Sequence, residues 1–123
     1  MSDATLDYVE LPATDLAAAK AFYASAFGWA WTDYGPTYAA ARSGSIEVAL
    51  NAEAPPGPAH EAGAENAVGP FLLLGTTRLD AVEAAVREAG GRIVTPTYPY
   101  PGGVRFHFAD PSGNVLGVYQ SDG

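Results

Sequence analysis

Cysteine is absent from the 123 residues, which removes disulfides, thiolate nucleophiles, iron–sulfur clusters and cysteine-based zinc sites together. Basic residues are almost as scarce: six stand against fourteen acidic ones, for a net charge of −8, and no lysine or arginine cluster breaks that balance. A surface of this sign repels nucleic acid and anionic membranes, so neither is expected as a partner. No apolar run approaches the ~20 residues of a membrane span, and the N-terminus has no basic stretch leading into an apolar one; a soluble, cytoplasmic protein is expected. Charged residues make up only 16% and apolar ones 48%, which suits one globular domain over residues 1–123 rather than a disordered chain. Any chemistry is left to carboxylates, two histidines, tyrosines or a bound metal.

What the chain does have is an internal echo. Displaced by 63 positions, Tyr8 falls on Phe71, Leu11 on Leu74, Thr14 on Thr77, Leu16 on Leu79, Ala26 on Ala89 and Gly28 on Gly91. A strand, a capped helix and a glycine stop recur in the same order, and such a repeat bears on the fold before any single motif does. In the first unit Leu6 to Leu11 reads as a strand ending at Pro12. Thr14 and Asp15 then offer N-cap oxygens to a helix over Leu16 to Ala26, with Phe22, Tyr23 and Phe27 on its apolar face. Strands follow at 29–32, 38–42 and 46–50. The second unit repeats the order: a strand at 71–74, a helix at 79–89 with Thr77 and Asp80 in capping-box spacing, then strands at 92–95, 104–108 and 115–119. The expected fold class is α+β, two tandem β-α-β-β-β modules over about 5–52 and 70–120. Residues 53–69, rich in Pro, Gly and Ala, read as the linker, and His60 within it as a solvated side chain.

Asp110-Pro111-Ser112-Gly113-Asn114 reads as a forced turn between the last two strands. Asp110 suits position i of a type I turn, Pro111 presets φ at i+1, and Gly113 fits i+3. Alone, such a turn is common. It stands, however, with Val9-Glu10-Leu11-Pro12-Ala13-Thr14-Asp15-Leu16 leading into Ala21-Phe22-Tyr23 and Phe27-Gly28-Trp29, with Gly90-Gly91, and with Pro101-Gly102-Gly103-x-Arg105. Together these motifs, in a doubled β-α-β-β-β order, resemble the vicinal oxygen chelate superfamily over residues 5 to 120. That superfamily includes glyoxalase I, bleomycin-resistance proteins, fosfomycin-resistance transferases and extradiol dioxygenases. The branch most similar is that of predicted enzymes related to lactoylglutathione lyase. The resemblance implies a curved, cup-like mixed sheet with helices on its outer face and the ligand or metal on the concave one.

The resemblance also implies where a metal would sit, at one residue on the first and one on the last strand of each unit: Tyr8, Glu47, Phe71 and Gly117. The family places Glu three residues after the Asn of the closing turn, where this chain has Gly117. It places His seven residues before the Asp that starts the first helix, where this chain has Tyr8. Only Glu47 is an ordinary ligand among the four, and one carboxylate does not hold an ion that takes three or four protein ligands. No cofactor is therefore expected; a divalent metal would have Glu47 alone.

Strand alternation fills the rest of the cup: Tyr8 shares a face with Glu10, Glu47 with Ala49, Phe71 with Leu73, and Gly117 with Tyr119. Two carboxylates and two tyrosines converge on this reading. Glu10 and Glu47 are candidates for a general base or for accepting hydrogen bonds from a ligand, or else each pairs with an arginine. Arg105 and His107 alternate against Val104, Phe106 and Phe108, whose apolar set suits the helix side. His107 is then the candidate proton-transfer histidine or a structural one. Arg105 binds an anionic ligand or neutralises Glu47 or Glu10. Gly117 marks a close approach to the backbone, by ligand or by packing. Tyr98 and Tyr100 lie in what reads as a proline-stiffened loop, placed to close a cleft; Trp29 reads as a core or dimer contact.

Two function classes follow. One is a glyoxalase-like enzyme performing proton transfer on a small carbonyl compound, with Glu47, Glu10 or His107 as base. The other is a non-catalytic binder that sequesters a small molecule, for which acidic and aromatic residues suit a cationic aromatic ligand. A homodimer is expected, since each unit buries only one sheet face and the relatives implied by the resemblance commonly pair.

Overall fold

The computed structural model describes residue 4 and residues 6–53 and 70–122; residues 54–69, and the reading of His60 with them, lie outside those described. The first unit comprises β1 (Tyr8–Pro12), α1 (Leu16–Phe27), β2 (Thr32–Asp33), β3 (Tyr38–Ser43) and β4 (Ile46–Asn51). The second comprises β5 (Leu73–Gly75), α2 (Leu79–Glu88), β6 (Arg92–Tyr100), β7 (Gly103–Ala109) and β8 (Val115–Ser121). In each unit the helix returns the chain so that the next strand starts in the direction of the first, and two hairpin reversals bring the last strand parallel to the first. The result is two four-stranded mixed sheets, ordered β1-β4-β3-β2 and β5-β8-β7-β6. This is the α+β pair of β-α-β-β-β modules that the repeat requires. Among the described residues no strand of one sheet pairs with a strand of the other; the units meet through α1 against α2 and a shared core.

That core follows from alternation. Leu11, Val48 and Leu50 on the first sheet and Phe106, Phe108, Leu116 and Val118 on the second turn toward the helices and are buried with Phe22, Tyr23 and Val86. Asp15 caps α1 by accepting from the Ala18 amide at 3.0 Å, and Gly28 ends it in the left-handed region at φ 73°. The strand expected at 29–32 contracts to two residues because Trp29 and Trp31 turn inward instead. The Trp29 ring stacks on Tyr23 with centroids 5.1 Å apart, and Trp31 donates its indole N–H to the Lys20 carbonyl at 3.1 Å.

Two local expectations are corrected. The Thr77/Asp80 capping box does not form: Arg78 occupies the N-cap without a side-chain bond, and the Leu79 amide is met by Gln120 Oε1 from β8 at 2.9 Å. The proline stretch with Tyr98 and Tyr100 is no loop, since β6 runs through it to Tyr100. Proline is excluded from central strands because it lacks an amide donor, but β6 is the outermost strand of its sheet, and its pairing with β7 is broken by two register shifts.

The closing turn ties the units together. Asp110 is the buried charged residue among those described, at 5% exposure. Its Oδ1 accepts the amides of Ser112 and Asn114 at 2.9 Å each, and its Oδ2 accepts the Asn114 side-chain amide at 2.9 Å and the Tyr23 hydroxyl at 2.8 Å. Asn114 also donates to the Pro12 carbonyl at 2.8 Å, and Ser112 Oγ accepts the Thr14 amide at 3.0 Å, so the end of β1 and the middle of α1 are both held to the β7–β8 turn. Burial, followed by the Asp110 charge and hydrogen bond, raises the Tyr23 phenol well above its ordinary value near 10.

Tyr23→Phe is expected to cost about 1.5–3 kcal/mol of unfolding free energy, as for a hydrogen bond to a charged group, and Asp110→Ala more, since several donors are then stranded. Urea denaturation measures both. Because the folded phenol titrates above the unfolded one, the Tyr23 contribution is full below pH ~10 and is lost as pH rises beyond it. The wild-type stability should therefore fall more steeply above pH ~10 than that of Tyr23→Phe; parallel pH profiles would contradict the assignment.

Candidate ligand-binding face

The sheet faces turned away from the helices carry the candidate catalytic and ligand-binding residues, but in two groups on two sheets. On the first sheet Tyr8 and Glu47 are register partners, as are Glu10 and Ala49, Arg42 and Glu47, and Tyr38 and Asn51. Tyr8 and Tyr38 hydroxyls lie 2.7 Å apart, and Asn51 donates to Glu10 Oε2 at 3.3 Å. Desolvation raises the Tyr38 phenol above its ordinary value, and the Tyr8 hydroxyl and the Glu10 carboxylate push the same way. Glu47 pairs with Arg42 at 3.3 Å in a solvent-facing ion pair, so the arginine that neutralises it is Arg42 and not Arg105. Tyr38 and Asn51 are the members of this group that sequence reasoning did not place; continuing the alternation from Glu47 and Ala49 to Asn51 would have found the second.

On the second sheet the residues converge closely. Arg105 and His107 leave the helix side to Phe106 and Phe108, and lie in register with Tyr119 and Gly117 of β8. The register shifts in β6 do the rest. Thr95 stands opposite His107, yet Tyr98, an odd number of residues further on, stands opposite Arg105; an inserted residue turns Tyr98 to the face that strict alternation would deny it. The Arg105 Nε–H donates to the Tyr98 oxygen, which leaves the phenol proton free to donate to His107 Nε2, 3.1 Å away. The Arg105 guanidinium carbon lies 5.5 Å from the Tyr98 ring centroid and 4.9 Å from that of Tyr100. Phe71 meets His107 edge-on with centroids 4.7 Å apart.

Thr76 N–H donates to the Tyr119 carbonyl as Ala13 N–H donates to that of Asn51, each at 3.0 Å. Asn51 is therefore the counterpart of Tyr119, and two residues back along each strand Ala49 is the counterpart of Gly117. By the repeat's own symmetry the β4 residue that matches Gly117 is Ala49, which has no donor, and Glu47 lies two residues before it. Gly117 is not open space for a ligand either. A Cβ at Gly117 would stand 2.5 Å from Leu73 Cδ2 and 3.0 Å from the Phe71 ring, so the absent side chain is replaced by packing from the opening strand side. Tyr8, Ala49, Phe71 and Gly117 do not fit a metal, and among the described residues no three His, Asp or Glu side chains gather. Nor, among them, is any helix long and apolar enough to cross a membrane.

Comparison with known proteins agrees with this fold. Residues 5–118 match the sequence model of the Glyoxalase family, the Glyoxalase/Bleomycin resistance protein/Dioxygenase superfamily. A Mycobacterium bovis protein named "Putative glyoxylase CFP32" is 32% identical over 126 aligned positions, covering 96% of this chain but 46% of that protein, so the chain spans about half the length of that relative. Among solved structures, the antibiotic-binding protein TnmS3 from Streptomyces sp. CB03234 is similar at 24% identity and a TM-score of 0.75, with 99% of each chain covered. A glyoxalase-related enzyme from Fulvimarina pelagi is similar at 21% identity and the same TM-score, over 95% of this chain and 88% of that one. With two β-α-β-β-β units, an Asp-Pro-x-Gly closing turn and a match over residues 5–118, the chain belongs to the Glyoxalase/Bleomycin resistance protein/Dioxygenase superfamily.

Proposed function

We propose that the protein binds a small, planar organic molecule against the open face of its second sheet, without a metal. The observation that carries this reading is the packing of Phe71 and Leu73 over Gly117, which puts a hydrophobic wall where the family's closing-strand ligand stands. Rings of Tyr98, Tyr100 and His107 continue the wall, and such side chains offer large, stiff contact surfaces. The similarity to a protein named for antibiotic binding supports the reading at the level of the fold. Glu47 and Glu10 have no part in it, being engaged by Arg42 and Asn51 on the other sheet.

The contact between Tyr98 and His107 favours a second reading, metal-independent proton transfer on a small carbonyl compound, in which Tyr98 takes the substrate proton as it passes its own to His107, the terminal base. Either reading suits a homodimer. β1 and β5 each stand at the edge of a sheet, and Leu6, Tyr8 and Leu73 beside them are 73%, 42% and 41% exposed, a surface that a second copy would cover.

Protein soaked in zinc, nickel, manganese or ferrous ion and then desalted should carry well under one equivalent. A stoichiometric metal that is lost on Glu47→Ala would restore the metalloenzyme. Calorimetry with a panel of planar aromatic compounds should find binding that resists chelators and weakens about tenfold or more, ~1.4 kcal/mol, in Phe71→Ala. No binding anywhere in the panel would leave this face as packing. Turnover of a small carbonyl compound that His107→Asn abolishes would move the assignment to the second reading. Sedimentation at micromolar concentration should give twice the 12.7 kDa chain mass, and a monomer at high micromolar concentration would remove the dimer.

A further inference from the structure

The second-sheet face holds a cation, Arg105, that is paired with no carboxylate among the described residues. Of the five arginines, Arg42, Arg78, Arg87 and Arg92 are exposed and Arg105 alone is half-buried. The ion pairs among the described residues take Lys20, Arg42 and Arg87. Arg105 has no carboxylate partner among the described residues, in a chain with fourteen acidic residues and a net charge of −8. Withdrawing a cation from water without a counter-charge is costly, so among the described residues Arg105 stands as the half-buried cation open to an anionic partner.

The surroundings of Arg105 define what would fit. Tyr98 and Tyr100 rings lie beside the guanidinium, and its Nε–H is spent on the Tyr98 oxygen. The four Nη hydrogens have no protein acceptor among the described residues. A guanidinium offers paired, parallel N–H donors that match the two oxygens of a carboxylate, and with Nε occupied the end-on pair remains. The carboxylates expected to make this face acidic, Glu10 and Glu47, belong to the other sheet, where Asn51 and Arg42 hold them.

We propose that the ligand is a planar aromatic acid, its ring system against the Phe71 side of the face and its carboxylate held end-on by Arg105. This selects the anionic ligand allowed for Arg105 over the cationic aromatic one, and it rests on the reading of the second-sheet face as a binding site. The test compares 2-naphthoate with its neutral isostere 2-naphthamide and with the cationic 2-naphthylmethylammonium by calorimetry on the full chain. Naphthoate should bind about tenfold or more tighter than the amide, and the ammonium weakest. In Arg105→Gln the naphthoate-to-amide ratio should collapse toward one; Arg105→Lys, which keeps the charge and loses the fork, should retain part of it. Tyr98→Phe, which frees Nε but leaves the ring, should lower the ratio with the chain still folded by thermal melting, and it carries the test with Arg105→Lys if Arg105→Gln fails to fold. Equal binding of naphthoate and amide, or a ratio that survives removal of Arg105, would overturn the proposal while leaving the binding function standing. Failure of all three probes to bind would overturn both.

Discussion

A carboxylate shut away from water has to be surrounded by donors, and in this protein that requirement fixes how the two units are joined. Asp110 draws its donors from its own turn and from Tyr23, while the same turn reaches Pro12 and Thr14 through Asn114 and Ser112. The interactions are not interchangeable with apolar packing: a hydrophobic seam tolerates sliding, whereas three directed bonds across the units, Tyr23 to Asp110, Asn114 to Pro12 and Thr14 to Ser112, hold one arrangement. The aromatic cluster of Phe22, Phe27, Trp29 and Phe108 is thereby assembled from both units around Tyr23.

The repeat has kept its backbone and lost its chemical symmetry. Ala13 and Thr76, 63 positions apart, make the same hydrogen bond to the last strand of their units. Yet the open faces have parted ways. One presents hydroxyls, an amide and paired charges; the other presents rings, a histidine and an arginine. In the second unit a glycine on β8 and a phenylalanine before β5 are complementary, since the ring fits only because the strand opposite has no side chain. Restoring a long side chain at Gly117 would collide with that ring, so the position is closed to a donor by packing as well as by identity.

Much of this was legible in the sequence because it depends on local rules. Period-two alternation placed Arg105 and His107 with Gly117 and Tyr119, and the glycine stop and Asp15 placed α1, since each needs only neighbours along the chain. What escaped depends on partners far away. The register of β1 against β4 decides whether Glu47 or Ala49 matches Gly117, and nothing within either strand states it. Tyr98 reached the face through an inserted residue that strict alternation cannot anticipate. Prolines argued against a strand at 96–101 because the sequence does not say which strand is outermost. The residues of the Asp110 turn specify a turn, but nothing local in them specifies Tyr23 and Pro12, 87 and 102 positions from their partners, as what the turn binds.

The prolines of β6 also govern how the protein meets its own kind. Pro96 and Pro99 delete amide donors from the outermost strand of the second sheet, and the register shifts beside them bend what remains. That margin is thereby blunted as a template for a further strand. The opposite margin, β5, has no proline within it. The sheet is thus polarised, one border blunted against edge-to-edge growth and the other carrying no such device, so that pairing through one edge does not by itself lead to a fibre.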